Sequence, residues 1–300
     1  MRVFVTGASG WVGSAVVPEL IGAGHQVLGL ARSDSSAEVV AARGAEVLHG
    51  GLEDLDTLRA GAAGCDGVVH LAFGHDFSRF DESVRTDARA VEVFGAALRD
   101  SGKPLVIASG TPAIPGTMAT ERDRPEFPPG SLMAGRAANA RATLDLASRG
   151  VRSCVVGLPR TVHGEGDPGF VSWLIADARE KGVAGYSGDG SNRWPAVHVA
   201  DAGRLFRLAL EQAPAGSMLH AVGDEGVPIR DIAEVIGRHL DLPTASRPAE
   251  DFGFLGAVLS IDQPASSALT RGLLGWHPVG PGLLEDLDKG HYFTVDPTAD

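Results

Sequence analysis

"TGASGWVG" spans Thr6 to Gly13 and follows directly on the apolar, β-branched run at 2–6. Ahead of it lies a strand-like segment. Behind it lies a helix-like one, "WVGSAVVPELIGAG" at 11–24, which closes on glycines. Gly7 permits the tight turn out of the strand. Gly10 lets a pyrophosphate approach the backbone, and Gly13 lets helix and strand pack closely. The helix N-terminus then turns its free N–H groups toward the phosphates. In this setting the pattern predicts a dinucleotide cradle made of Gly7, Ser9, Gly10, Trp11, Val12 and Gly13.

The rest of the chain repeats the same alternation. Short β-branched runs at 25–31, 45–50, 66–73, 103–110 and 151–158 are separated by amphipathic stretches, among them 80–99 and 131–149. That rhythm predicts an α/β protein with a doubly wound parallel sheet, the Rossmann arrangement, with helical crossovers on both faces. After Leu158 the rhythm loosens. "PRTVHGEGDPGF" and "GYSGDGSNRWP" read as Gly- and Pro-rich loops. Helices follow near 170–181, 200–212, 229–240 and 282–290, and a strand at 217–222. The predicted division is a dinucleotide-binding domain at 1–159 and 199–222, and a smaller substrate-binding subdomain at 160–198 and 223–300.

The second strand ends in "ARSD". A carboxylate at its first polar position would grip a ribose 2′-hydroxyl and repel a 2′-phosphate. Arg32 and Ser33 stand there instead, and an arginine offers a forked donor suited to phosphate. The expected cofactor is therefore NADP(H), with Asp34 turned to solvent.

Composition narrows the partners. The 300 residues are 44% apolar and carry a net charge of −12, which suits a chain with a large core and disfavours a nucleic-acid surface. No stretch reaches the roughly 18 apolar residues of a membrane span. "MRVFVTGASG" breaks off its apolar run too early for a signal peptide, so a cytoplasmic location is expected. Cys65 and Cys154 show neither CxxC spacing nor a histidine partner, so neither a disulfide scaffold nor a metal site is expected.

"TGASGWVG", "VVHLAF", "IASGT", "GLPRTVHGEGD" and "RWPAVHVAD" occur in that order. From Met1 to about Asp201 the chain resembles the extended and atypical short-chain dehydrogenases/reductases, the group that contains the NAD-dependent epimerase/dehydratases. The resemblance implies that Gly51 and Leu52 flank the adenine, with Gly51 standing where an acidic residue is usual. It implies that His70, Leu71, Ala72 and Phe73 line the ribose and nicotinamide side. Leu158, Pro159 and Arg160 would pack on the nicotinamide, and Ser109, with Thr111, would orient a substrate carbonyl. His163, Trp194 and His198 fall on loops that border the substrate in such proteins; packing and loop capping are the alternatives for each.

Members of this group usually carry Tyr-x-x-x-Lys on the helix after the fifth strand, where both side chains project to one side. The tyrosine protonates the reduced carbonyl oxygen. Here that helix reads "SLMAGRAANARATL", 131–144. Counting back from Gly150, the lysine position falls on Arg136 and the tyrosine position on Leu132, with Met133 its neighbour. The two tyrosines, Tyr186 and Tyr292, are followed four residues on by Gly190 and Asp296. Leu132 and Met133 are expected to form apolar pocket walls and Arg136 to take the ribose contact. Tyr186 is expected to approach from the substrate side.

The leading expectation is an NADPH-dependent ketoreductase acting on an activated aromatic or polycyclic, polyketide-type ketone. Its proton would come from a phenol or enol beside the carbonyl, as the resemblance to angucyclinone-type ketoreductases implies. A non-catalytic NADP(H)-binding sensor is the second reading and a sugar-nucleotide epimerase or dehydratase the third. The long helices 80–99 and 131–149 either pair across a homodimer or face solvent.

Overall fold

The protein is described from a computed structural model covering residues 1–74, 77–114, 116–128 and 132–294; the side chains of Phe77 and Leu132 lie outside that description. The first half alternates β1 (Arg2–Thr6), α1 (Trp11–Gly22), β2 (Gln26–Ala31), α2 (Asp34–Ala42), β3 (Glu46–His49), α3 (Leu55–Ala63), β4 (Gly67–His70), α4 (Phe80–Ala97), β5 (Pro104–Gly110), α5 (Leu132–Asp145) and β6 (Arg152–Leu158). The second half runs β7 (Thr161–His163), α6 (Phe170–Lys181), β8 (Ala184–Ser187), β9 (Arg193–His198), α7 (Val199–Gln212), β10 (Ser217–His220), β11 (Asp224–Pro228), α8 (Ile229–Leu240), β12 (Thr244–Arg247), α9 (Phe254–Leu259), α10 (Ala268–Leu274) and α11 (Leu283–Asp288).

Seven parallel strands form the central sheet in the order β10-β6-β5-β4-β1-β2-β3, the doubly wound topology that the alternating runs predict. Side chains along a strand alternate between faces. In β1, Val3 and Val5 join Val16, Leu20, Leu205 and Phe206 of α1 and α7. Phe4 points the other way, to Leu58 of α3 and Val91 and Phe94 of α4. All three strand residues are fully buried, each contributing about 1.5–3 kcal/mol from apolar burial. Burial on both faces makes these strands continuous apolar runs.

Beyond β6 the expected loops contain structure. β7 and β9 pair within a three-stranded sheet with β11, and β8 pairs with β12. These strands are three to six residues long and partly polar, so period-two patterning has little length in which to show. They cover a second core of Val171, Leu174, Trp194, Ile232, Ile236 and Leu283. Among the described residues, no helix is long and apolar enough to cross a membrane.

Candidate active site

The glycine loop explains its own composition. Gly7 has φ +69°, and a Cβ there would lie 2.7 Å from the Ala72 nitrogen. At Gly13 a Cβ would meet the Gly7 carbonyl oxygen at 2.3 Å. Helix α1 starts after Gly10 with no side-chain cap and no acidic residue in its first turn. By contrast, α2 is capped by Ser33 and α3 by Asp54. The α1 N-terminus thus retains both its N–H groups and its dipole for an external anion. A cradle closed to any Cβ, next to a helix end lacking an anion of its own, fits a dinucleotide pyrophosphate. Arg43, which the sequence did not single out, holds the loop from behind. It donates to the carbonyls of Ala8 and Gly10, and burial lowers its pKa.

This loop forms one end of a cleft of about 1070 Å³ along the C-terminal edge of the sheet, where open α/β sheets bind ligands. Gly51 and Leu52 follow β3 on its wall, Leu71, Ala72 and Phe73 follow β4, Ser109 and Thr111 flank the end of β5, and Leu158 ends β6 with Pro159 and Arg160 just beyond it. Arg32 is exposed at the rim beside Ser36 and Glu53. Ser33 is not on the wall. Its hydroxyl accepts from the Ser36 N–H at 3.3 Å, which places it in the α2 capping box.

Arg136 is the most constrained residue of the cleft. Its Nη1 donates to Asp87 Oδ2 at 2.9 Å and its Nη2 to the Ala108 carbonyl at 2.9 Å. Its guanidinium lies 4.1 Å from the centre of the Phe73 ring. Asp87 also takes a hydrogen bond from Asn139 at 2.6 Å and pairs with His70 Nε2 at 3.1 Å, while His70 Nδ1 meets the Thr6 hydroxyl at 2.6 Å. Burial alone would raise the Asp87 carboxyl. The His70 hydrogen bond and the Arg136 charge outweigh it and hold the group below the ordinary carboxylate value. One buried network therefore joins β1, β4, α4, β5 and α5 beneath the cleft.

The substrate end is built differently. The Thr111 N–H donates to the Leu158 carbonyl at 2.8 Å, locking β5 against β6. Gln263 donates to the Thr111 carbonyl at 3.1 Å and accepts from Arg160 Nη2. Arg160 Nε is buried without an acceptor, and burial pushes the guanidinium pKa down to about 10. Ser109 is partly exposed, and its hydroxyl has no partner among the described residues. Met133 of α5 is on the wall; the Leu132 side chain lies outside the described residues.

Four expected substrate contacts lie elsewhere. His163 is fully buried, its Nδ1 2.9 Å from Asp286 Oδ2 of α11. His198 caps α7, its Nδ1 accepting from the Ala200 N–H at 3.3 Å, and its ring faces that of His163 at 5.5 Å. Trp194 is fully buried in the second core against Phe170. Tyr186 packs on the same core with the Arg230 guanidinium 5.0 Å from its ring centre. None of the four lines the cleft. The aromatic and acidic groups of that side are Phe170, Trp173 and Asp167. Asp167 accepts from the Tyr292 hydroxyl at 3.0 Å and from the Gly169 N–H at 2.7 Å.

Sheet order, glycine cradle and a cleft at the carboxyl ends of the strands define a Rossmann-type α/β protein built around a nucleotide cofactor. The chain belongs to the NAD dependent epimerase/dehydratase family, whose sequence profile matches residues 3–221. It is 48% identical over 299 residues to an uncharacterised protein of Schizosaccharomyces pombe, covering 98% of this chain and 100% of that one. It is 30% identical over 245 residues to 4-hydroxy-2-methyl-3-oxo-4-farnesyl-3,4-dihydroquinoline-1-oxide ketoreductase of Stigmatella aurantiaca, covering 79% and 72%. Among solved structures, DesIV, a dTDP-glucose 4,6-dehydratase from Streptomyces venezuelae with NAD and TYD bound, superposes with a TM-score of 0.77. That match is 19% identical and covers 97% of this chain and 96% of the other. The family implies a pyridine-nucleotide cofactor and an oxidoreductase-type enzyme.

Proposed function

We propose that the protein is an NADP(H)-dependent ketoreductase acting on an activated ketone whose own neighbouring hydroxyl supplies the proton. The observation that carries this reading is the composition of the cleft. It holds an uncommitted Ser109 hydroxyl at the end of β5, while no tyrosine or lysine is among its described lining residues. The similarity to a ketoreductase supports the same reaction type.

When bound, the cofactor supplies the hydride that goes to the carbonyl carbon. The chain's own residues bind and orient. The glycine loop and the α1 terminus hold the pyrophosphate, and Arg32 at the rim meets the 2′-phosphate. Arg136, fixed by Asp87 and Ala108, forms a rigid floor beside the ribose. Ser109 donates a hydrogen bond to the carbonyl oxygen, where negative charge grows as the hydride arrives. The proton that completes the alcohol comes from the phenol or enol beside the ketone. An aromatic, polyketide-like ring system is the substrate type that presents such a group.

The test is NADPH oxidation with 2′-hydroxyacetophenone and with its methyl ether. Turnover of the first and loss of at least about tenfold with the second supports a borrowed proton. Equal rates on both would refute the borrowing. Tight NADPH binding with no turnover on any hydroxy-aryl ketone would favour a sensor instead.

A further inference from the structure

Arg160 has no counter-charge. Its Nη2 donates to Gln263 Oε1, a neutral amide, and its Nε is buried without an acceptor. The remaining nitrogen, Nη1, makes no bond among the described residues and belongs to a side chain on the cleft wall. Phe170 approaches one face of the guanidinium, its ring centre 5.5 Å away. The carboxylate on this side of the cleft, Asp167, is already occupied by the Tyr292 hydroxyl and the Gly169 N–H. Arg124 and Arg141 line the same cleft, and neither makes an ion pair among the described residues. Arg124 donates only to the backbone carbonyls of Glu121 and Asp123. Arg124 lies beside Asp123, whose charge acts on it, whereas Arg160 has no such neighbour. In a chain of net charge −12, a desolvated guanidinium on a cleft wall without a carboxylate of its own marks a place for an anion.

We propose that Arg160 anchors a carboxylate on the substrate, so that the ketone reduced here is an oxo acid. The inference rests on the ketoreductase reading and narrows its substrate class. The fork of a guanidinium matches a carboxylate in shape as well as charge. The groups around it fit that assignment. Gln263 holds one nitrogen still, Phe170 shields one face from water, and Thr111, on which Gln263 itself rests, stands two residues beyond Ser109. On this proposal a carboxylate held by Arg160 turns the ketone toward Ser109, which lines the same cleft. The resemblance places Arg160 against the nicotinamide; here its guanidinium is assigned to the substrate instead.

The experiment compares 4-acetyl-3-hydroxybenzoate with its methyl ester, which has the same ring, ketone and phenol but no charge. Binding to the NADP⁺-loaded protein is read by isothermal titration calorimetry, without turnover, and NADPH oxidation is measured separately. The acid is expected to bind about tenfold to a hundredfold more tightly than the ester. In Arg160→Met that ratio should collapse toward one, and Arg160→Lys, which keeps the charge but loses the fork, should restore part of it. Equal binding of acid and ester by the unsubstituted protein, a measurement that needs no variant, would overturn the proposal even if both ketones are reduced. An intact ratio in Arg160→Met together with weakened NADP⁺ binding would overturn it too, and return the residue to the cofactor. Uridine diphosphate binding more tightly than the acid, lost in the same variant, would overturn the carboxylate assignment in favour of a diphosphate. Tight binding of the acid with no NADPH oxidation would leave the anion site standing and sink the ketoreductase reading.

Discussion

Two arginines face the same cleft in opposite condition. Arg136 has a carboxylate, a carbonyl and an aromatic face, and the carboxylate is in turn held by His70 and Asn139. Arg160 has a neutral amide and a buried nitrogen with no acceptor. A desolvated charge with a full set of partners is part of the frame, because removing any partner strands the others. A desolvated charge with an incomplete set is a standing cost to the fold unless something from outside completes it. The contrast separates scaffold from site more sharply than position does, since both residues line the cleft.

The sharpest way to break the contrast is to remove the centre of the complete set. Asp87→Ala leaves Arg136, His70 and Asn139 facing an empty acceptor and should lower unfolding stability by about 3–5 kcal/mol in a urea titration. A loss below about 1 kcal/mol would show that the network is decorative. The same carboxyl predicts a pH dependence. Its folded pKa lies below the ordinary carboxylate value, so its stabilisation is present above that value and lost as pH falls through the folded pKa. Asp87→Asn should therefore flatten the acid limb of the stability curve. Next in size is the paired substitution. Arg136→Met should cost about 1.5–3 kcal/mol, because it takes a charged partner from a buried acid. Arg160→Met should stay within about 1 kcal/mol of the parent, because it relieves an uncompensated burial. Matching losses in the two variants would erase the distinction. Smallest is Arg32→Ala at the exposed rim, expected to shift the NADPH-to-NADH affinity ratio by about threefold to tenfold.

How much of this was legible follows from the physics of each part. Strands buried on both faces write themselves as apolar runs, so the order of β1 to β6 was readable in advance. Glycines imposed by steric contact are equally plain, and Gly7 and Gly13 each face backbone atoms that exclude a Cβ. The short strands β7, β8 and β9 fall in stretches that read as loops, because three to six partly polar residues carry too little pattern. For His163, His198, Trp194 and Tyr186, the neighbourhood in sequence points to the substrate side. Which face of a short strand a side chain takes is decided by the element packed on it, and α11 claimed His163. Asp87 has a signal in the sequence. Val84, Asp87, Val91 and Phe94 fall at helical spacing on one stripe of α4, and an acid on an otherwise apolar stripe calls for a buried partner. Arg160 left none, since an unpaired guanidinium looks the same in sequence as a paired one.

One bond carries the argument past either ligand alone. Trp11, in the first turn of α1, donates its indole N–H to the Val162 carbonyl at 2.7 Å, two residues beyond Arg160. The cradle for one ligand is thereby fastened to the strand that directly follows Arg160, the anchor proposed for the other. A shift of that short piece of chain on occupancy of either place would couple the two, and such coupling is reciprocal by thermodynamic necessity. Under the proposed reading, whatever factor a bound dinucleotide adds to the hold on an oxo acid, the oxo acid returns to the dinucleotide.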